Sequence, residues 1–71
     1  MTNIRKETCI IVRKNGMYLV GRIVCSQELR WSRYRYDAFR TRDREKARRI
    51  ARAVGGRMVL FNPIIGKEMY I

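Results

Sequence analysis

The dipeptide Asn15-Gly16 separates two β-rich runs, residues 8–14 and 17–25, and this turn limits the folds open to the chain. Asn-Gly is the strongest short signal for a two-residue hairpin, because both central positions of a type I′ turn require a positive φ. A two-residue loop also fixes the pairing of the strands. The predicted register pairs Lys14 with Met17, Val12 with Leu19, Ile10 with Gly21 and Thr8 with Ile23.

This register sorts the hairpin into two faces, because side chains alternate along a strand. The predicted core face carries Ile10, Val12, Met17, Leu19 and Ile23. The predicted outer face is mixed and carries Cys9, Ile11, Arg13, Tyr18, Val20, Arg22 and Val24, with Cys9 opposite Arg22. Cys25 falls on the inner face, so a disulfide between the two cysteines would oppose the pairing. We expect two reduced thiols in a cytoplasmic protein.

The next segment is predicted to be a loop over residues 26–32, followed by a third strand over residues 33–38. In the second range Arg33, Arg35 and Asp37 alternate with Tyr34, Tyr36 and Ala38, which is the period of a strand. Two arrangements are open. Either the tyrosines face the core and the arginines face outward, or the tyrosines form the outer surface.

A helix is predicted from residues 41–43 to the pair Gly55-Gly56. Thr41 or Asp43 can serve as its N-cap, and a glycine in the left-handed conformation commonly ends a helix. A narrow apolar stripe recurs with helical spacing. Its members are Ala47, Ile50, Ala51 and Val54.

The remaining chain is predicted to form a fourth strand over residues 57–61, broken by Asn62-Pro63. Residues 68–71 either return as a short edge strand or pack as a tail. The order β-β-β-α-β predicts an α+β fold, a small antiparallel sheet with one helix on one face. Residues 1–71 are expected to form a single domain, with residues 1–7 frayed.

Several of these strings resemble those of small, mostly uncharacterised proteins encoded by phages and prophages of Gram-positive bacteria. The strings are KNGMYLVG at 14–21, AFRT at 38–41, EKA at 45–47, Ala51 and the Gly55-Gly56 stop. The resemblance covers most of the chain and implies a fold and a phage origin, but no activity. Three strands followed by a helix are also similar in order to integrase arm-binding and AP2-like domains, which lay a sheet face into the DNA major groove.

Charge points to the class of partner. The chain has 17 Lys and Arg against 6 Asp and Glu, a net charge of +11, and no His. The range from Arg30 to Arg57 contains ten arginines and one lysine but only three acidic residues. Arginine matches phosphate with a planar fork of donors and also stacks on bases. A partner that is a polyanion is therefore expected.

No catalytic set, metal site or cofactor is expected. The chain offers neither a histidine base nor a glycine-rich phosphate loop, and Asp43 and Glu45 are explained by the start of the helix. It also lacks a run of 18 apolar residues that could span a membrane. The sequence predicts a protein that is not an enzyme and does not enter a membrane.

The sequence predicts a nucleic-acid-binding protein, with DNA favoured over RNA. The predicted binding residues are Arg13, Arg22, Arg30, Trp31, Arg33, Arg35, Arg40, Arg44, Arg48 and Arg52. Trp31 has two interpretations, a stacking residue or a lid on the core. The alternative function is a phage accessory protein that docks the same basic surface on an acidic host protein. Two oligomeric states are open. A monomer is favoured, because the net charge opposes close approach of two copies, and the alternative is pairing with a second copy through the edge strand at residues 68–71.

Overall fold

Five antiparallel strands form one sheet, and one helix packs against it, in the computed structural model of the protein. The structure describes residues 8–22 and 28–70, without the side chain of Arg22. The strands are β1 Cys9–Lys14, β2 Met17–Arg22, β3 Leu29–Ser32, β4 Arg57–Asn62 and β5 Lys67–Tyr70, and the helix α1 is Arg44–Val54. They are ordered β3-β2-β1-β4-β5, and α1 packs on β1 and β4. The predicted α+β fold is confirmed. The predictions for residues 1–7, 23–27 and 71 lie outside the described residues.

The Asn-Gly turn forms as predicted. Asn15 has a φ of 52° and Gly16 a φ of 76°. Lys14 pairs with Met17, and Arg13 pairs with Tyr18. The positive φ values give the turn the right-handed twist of the strands it joins.

The predicted pairing of Ile10 with Gly21 is wrong, because another segment lies between β1 and β2 at this position. The Ile10 N–H donates to the Thr41 carbonyl at 2.7 Å, and the Thr41 N–H donates back to Ile10 at 3.1 Å. The Phe39 N–H donates to the Leu19 carbonyl at 2.9 Å. Ile10 therefore pairs with Thr41 and not with Gly21, and Cys9 does not pair with Arg22. The inserted backbone satisfies polar groups that the hairpin leaves unpaired.

The predicted third strand is also wrong. β3 lies within the predicted loop, where Trp31 pairs with Leu19 and Ser32 with Tyr18. Residues 33–38, which we call the crossing segment, contain a 3₁₀ turn over Arg35–Asp37. Local hydrogen bonds hold this turn: the Asp37 N–H donates to the Tyr34 carbonyl, and the Ser32 hydroxyl donates to Asp37 at 3.0 Å. Bonds within the segment replace those a neighbouring strand would have supplied.

Both faces of the sheet are buried, where the sequence predicted one. On the α1 side a cluster forms from Val12, Leu19 and Ala51, with Trp31, Ile50, Val54 and Met58 against it. The face away from α1 carries Cys9, Ile11, Tyr18, Ala38, Val59 and Phe61. Ile11, Val59 and Phe61 are fully buried. Ala38 belongs to this second cluster, so the crossing segment helps to cover a face that α1 does not reach.

The helix begins and ends at the predicted residues. Asp43 is the N-cap, and its carboxylate accepts from the Lys46 N–H at 3.2 Å. Ala47 and Ala51 of the predicted stripe are buried, and Gly55 is left-handed with a φ of 72°. The Lys14 ammonium donates to the Val54 carbonyl at 2.8 Å, which satisfies an unpaired acceptor at the helix end.

The second glycine of the stop has a steric role that gives a first prediction. A Cβ at Gly56 would lie 2.9 Å from the Arg13 carbonyl oxygen and 3.0 Å from a Val12 methyl. We expect Gly56→Ala to lower the free energy of unfolding by about 1–3 kcal/mol, as overpacking does. Gly21→Ala is the matched control, because nothing lies within 4 Å of its Cβ position. Urea denaturation measures both, and equal losses would contradict the close approach.

Candidate nucleic-acid interface

The sheet face away from α1 gathers arginine and tyrosine side chains from β1, β2, β4 and β5. Arg13 pairs with Tyr18 on one side and with Arg57 on the other. On β5, Tyr70 pairs with Val59. Paired residues of neighbouring strands point to the same face. The register therefore places Arg13, Tyr18, Arg57 and Tyr70 on one surface.

Two guanidinium groups lie around the Tyr70 ring. Arg57 lies 4.7 Å from the ring centroid, and Arg13 lies 5.9 Å from it. Arg13 also donates a hydrogen bond to the Tyr70 hydroxyl and lies 5.6 Å from the Tyr18 ring. Contacts of a cation with an aromatic face are favourable and limit the motion of the long side chain. Neither Arg13 nor Arg57 forms an ion pair with any carboxylate in the described ranges.

Glu68 is the carboxylate that β5 contributes to this face. It accepts the Tyr18 hydroxyl at 2.9 and 3.0 Å and an Arg35 N–H at 2.9 Å. Its side chain is only 16% exposed. The bond to Glu68 raises the pKa of Arg35, whereas desolvation first, and then the bond to Glu68, raises the pKa of Tyr18. Glu68 thus neutralises Arg35 locally and fixes it to the sheet.

The raised pKa of Tyr18 gives a second prediction. The pKa of Tyr18 is higher in the folded protein than the ordinary tyrosine value of 10.0, so its protonated hydroxyl stabilises the fold below pH 10.0. This stabilisation is lost as the pH rises through the folded-state pKa of Tyr18. Tyr18→Phe is therefore expected to cost about 1 kcal/mol at neutral pH. The difference from the unmodified protein should shrink above pH 10.0.

Thermal unfolding from pH 7 to 11 measures that difference, with Tyr34→Phe as the control at an exposed position. A difference between Tyr18→Phe and the unmodified protein that stays constant over this range would contradict the role given to the Tyr18 hydroxyl.

Arg35 of the crossing segment and Arg40, which follows that segment, add two more arginines to this surface. The Tyr36 ring meets Phe61 edge to face, with centroids 5.3 Å apart. Arg35 and Arg40 lie 5.8 and 5.6 Å from the Phe61 ring, and Arg40 donates to the Tyr36 carbonyl at 3.1 Å. We call this surface the arginine–tyrosine face. It comprises Arg13, Tyr18, Arg35, Tyr36, Arg40, Arg57 and Tyr70.

The open question about the two tyrosines of the crossing segment is resolved by their exposure. Tyr34 is 74% exposed and Tyr36 is 54% exposed. Neither is enclosed in the core, because the segment is a turn over the sheet and not a strand within it. Both rings therefore belong to the outer surface.

Four predicted binding residues come from the end of β2, from β3 and from the position just after β3. Arg30 pairs with Gly21 and alternates with Trp31, which places it on the sheet face away from α1, exposed on the edge strand. Arg33 is exposed just after β3. The side chain of Arg22 lies outside the described part of the chain. Trp31 packs on the α1 side against the Val12 cluster, so of its two interpretations the structure places it as a lid on the core.

The predicted helix arginines lie on the other side of the sheet. Arg44, Arg48 and Arg52 are exposed on α1, and Arg48 pairs with Glu45 at 3.0 Å. The structure thus brings together Arg13, Arg35 and Arg40, and keeps the helix arginines apart from them. Sequence reasoning missed Tyr18, Tyr36, Arg57 and Tyr70 as site residues. Tyr18 already lay on the predicted outer face beside Arg13, whereas Arg57 and Tyr70 reach this face through the pairing of β4 with β1 and of β5 with β4.

Nothing in the described ranges groups three or more potential metal ligands. Within the same ranges, α1 is too short and too polar to cross a bilayer. Comparisons with protein-family models, with curated proteins and with solved structures found no match to this chain.

Proposed function

We propose that the protein is a non-enzymatic nucleic-acid-binding protein that uses the arginine–tyrosine face, with DNA favoured over RNA. One observation carries the proposal. Four guanidinium groups lie against aromatic rings on a single sheet face, and of these four only Arg35 forms an ion pair among the described residues. A surface with so little internal neutralisation attracts a polyanion.

The chemistry of the face supports phosphate as the bound group. Arginine presents several N–H donors in a planar fork that matches phosphate oxygens. Neutralising phosphates also releases condensed counterions, which favours binding at low salt. Guanidinium groups held over tyrosine rings lose less side-chain entropy on binding than free ones would.

The helix arginines support the proposal in a different way. Arg44 and Arg52 are exposed, and no ion pair joins either to an acid in the part of the chain that the structure describes. They add to the long-range positive field of the protein, which speeds the approach of an anion without any contact. We assign phosphate contacts first to the arginine–tyrosine face.

The proposed setting is the cytoplasm, in a phage or other mobile element, where a small protein meets nucleic acid directly. The free thiol of Cys9 is in keeping with a reducing compartment. Burial raises the pKa of this thiol, and the Arg40 and Arg42 charges oppose that rise. A buried thiol of this kind has a packing role rather than a reactive one.

Fluorescence anisotropy tests the proposal with labelled DNA duplexes, single-stranded DNA and single-stranded RNA. If about four to six phosphates are contacted, log affinity for duplex DNA should fall against log salt with a slope of about −4 to −5. Affinity weaker than about 100 μM for every probe at about 50 mM salt would overturn the proposal, because even non-specific binders reach that range.

A second measurement separates nucleic acid from an acidic protein as the partner. Tagged protein is recovered from host lysate with and without nuclease treatment. Partners that disappear after nuclease support binding through nucleic acid. A protein partner that remains after nuclease, together with failure to bind any oligonucleotide, would replace the proposed function by docking on an acidic protein.

A further inference from the structure

The exposed tyrosine rings narrow the class of nucleic acid. Tyr34, Tyr36 and Tyr70 are each more than half exposed. Burying aromatic surface is favourable, so three open rings on a basic surface require an explanation. A protein that bound only the phosphate backbone of a nucleic acid would need its arginines but no exposed aromatic rings.

The rings lie beside the guanidinium groups. Arg57 lies over the Tyr70 ring, and Arg35 lies 5.9 Å from the Tyr36 ring. The backbone N–H of Tyr34 is bonded to the Ser32 hydroxyl at 3.0 Å, which fixes the start of the crossing segment. The Tyr70 and Tyr36 rings thus offer stacking surfaces beside a positive charge, and Tyr34 lines a shallow pocket together with Arg33 and Arg35.

This combination suits an unpaired strand better than a duplex. Every base has a π-face, and stacking on aromatic side chains beside a basic groove is the usual way to hold a single strand. In a duplex the bases are already stacked on one another, so an exposed tyrosine reaches them only if the duplex is locally unstacked, at a cost of a few kcal/mol.

The crossing segment also hinders the duplex arrangement. Domains that lay a three-stranded sheet in the major groove need that sheet face free. Here Ala38 and the Tyr36 ring cover Phe61 and Cys9 on the same face. The helix, which could enter a groove, lies on the other side of the sheet.

We infer that the arginine–tyrosine face together with Tyr34 binds single-stranded nucleic acid, with bases stacked on the Tyr70, Tyr36 and Tyr34 rings and phosphates bound by Arg13 and Arg57. This inference rests on the proposed function and names its substrate class. It makes the face a non-sequence-specific binder, because stacking accepts every base.

The test compares a 12-nucleotide single strand with a duplex of the same length, using the full chain and three variants. Tyr70→Leu removes the ring and is expected to weaken single-strand binding roughly 5- to 140-fold, the value of one stacked base. Tyr70→Phe keeps the ring and loses only the hydroxyl, so it should bind within about threefold of the unmodified protein. Tyr34→Leu should show a loss of the same kind as Tyr70→Leu.

Thermal unfolding of each variant confirms that it folds, which we expect because the replaced residues are exposed. Single-strand affinity at least tenfold above duplex affinity, with loss in the leucine variants alone, supports the inference. Duplex affinity equal to or above single-strand affinity, or a Tyr70→Leu variant that binds the single strand normally, overturns it and leaves the proposed function standing. Failure of both probes to bind overturns the proposed function as well.

Discussion

Replacing Arg13 and Arg57 together by glutamine is expected to weaken binding to nucleic acid roughly 100-fold at low salt. Each of these guanidinium groups is free of a carboxylate partner within the described residues, so each can give a full charge to a phosphate. A charged hydrogen bond contributes about 1.5–3 kcal/mol, so two lost contacts at the lower end of this range cost about 3 kcal/mol, which is roughly 100-fold in affinity. The salt dependence should also become shallower, by about one in the log–log slope for each lost phosphate contact.

The matched control removes the same charge from the helix. Arg44→Gln with Arg52→Gln lowers the net charge equally, at exposed positions on the other side of the sheet. We expect a loss of only a few-fold, through the weaker long-range field. Equal losses from both double variants would show that affinity follows net charge and would contradict a binding surface on the arginine–tyrosine face.

Phe61→Ala is expected to have the largest effect on stability. Phe61 is fully buried between the sheet and the crossing segment, where it contacts the Tyr36 ring and lies beneath two guanidinium groups. Truncating a buried phenylalanine costs about 3–5 kcal/mol. A chain of this length has a total stability of roughly 4–11 kcal/mol. The variant should therefore melt roughly 12–40 °C lower, or fail to fold at 37 °C.

Met69→Ala is the control for this prediction. Met69 lies on the neighbouring strand but is 55% exposed. Its loss should cost less than about 1 kcal/mol. Differential scanning calorimetry measures both changes. Similar melting temperatures for Phe61→Ala and Met69→Ala would mean that the face away from α1 is not a second core.

The features predicted correctly from the sequence are those with local causes. The turn at Asn15 and Gly16 and the helix between Asp43 and Gly55 depend on backbone conformations and caps set by a few neighbouring residues. Such signals are complete within a short window. Burial of Ala47 and Ala51 followed from the spacing of the helix for the same reason.

The crossing segment was predicted wrongly because its conformation depends on more than its own local sequence. Alternation of arginine and tyrosine over residues 33–38 is typical of a strand, yet the backbone N–H groups of Tyr34, Asp37 and Ala38 donate to Ser32 or within the turn. A strand also needs a neighbouring strand to which it can hydrogen-bond, and the edge of β2 that residues 33–38 would use is already paired with β3. Competition between distant segments for one strand edge cannot be derived from a local period.

The candidate site was predictable to the extent that it follows the hairpin. Arg13 belongs to the turn-proximal pairs, so its face follows from the correct part of the register. Arg57 and Tyr70 come from strands that pair with β1 and with each other only after the helix returns the chain. Trp31 was associated with the arginines beside it in sequence, but adjacent residues of a strand point to opposite faces.

The backbone of residues 39–41, held between β1 and β2, also bears on the route by which the chain folds. A hairpin with an Asn-Gly turn usually closes by itself, pair after pair, starting from the turn. Here β1 and β2 pair with each other only at the residues nearest the turn. Ile10 pairs instead with Thr41, which comes after β2, β3 and the crossing segment along the chain. Bringing Thr41 to Ile10 closes a long loop of chain, and the entropy cost of this closure comes before the free energy gained from the contacts. We therefore expect residues 39–41, which lead into the helix, and the far half of the hairpin to become ordered together.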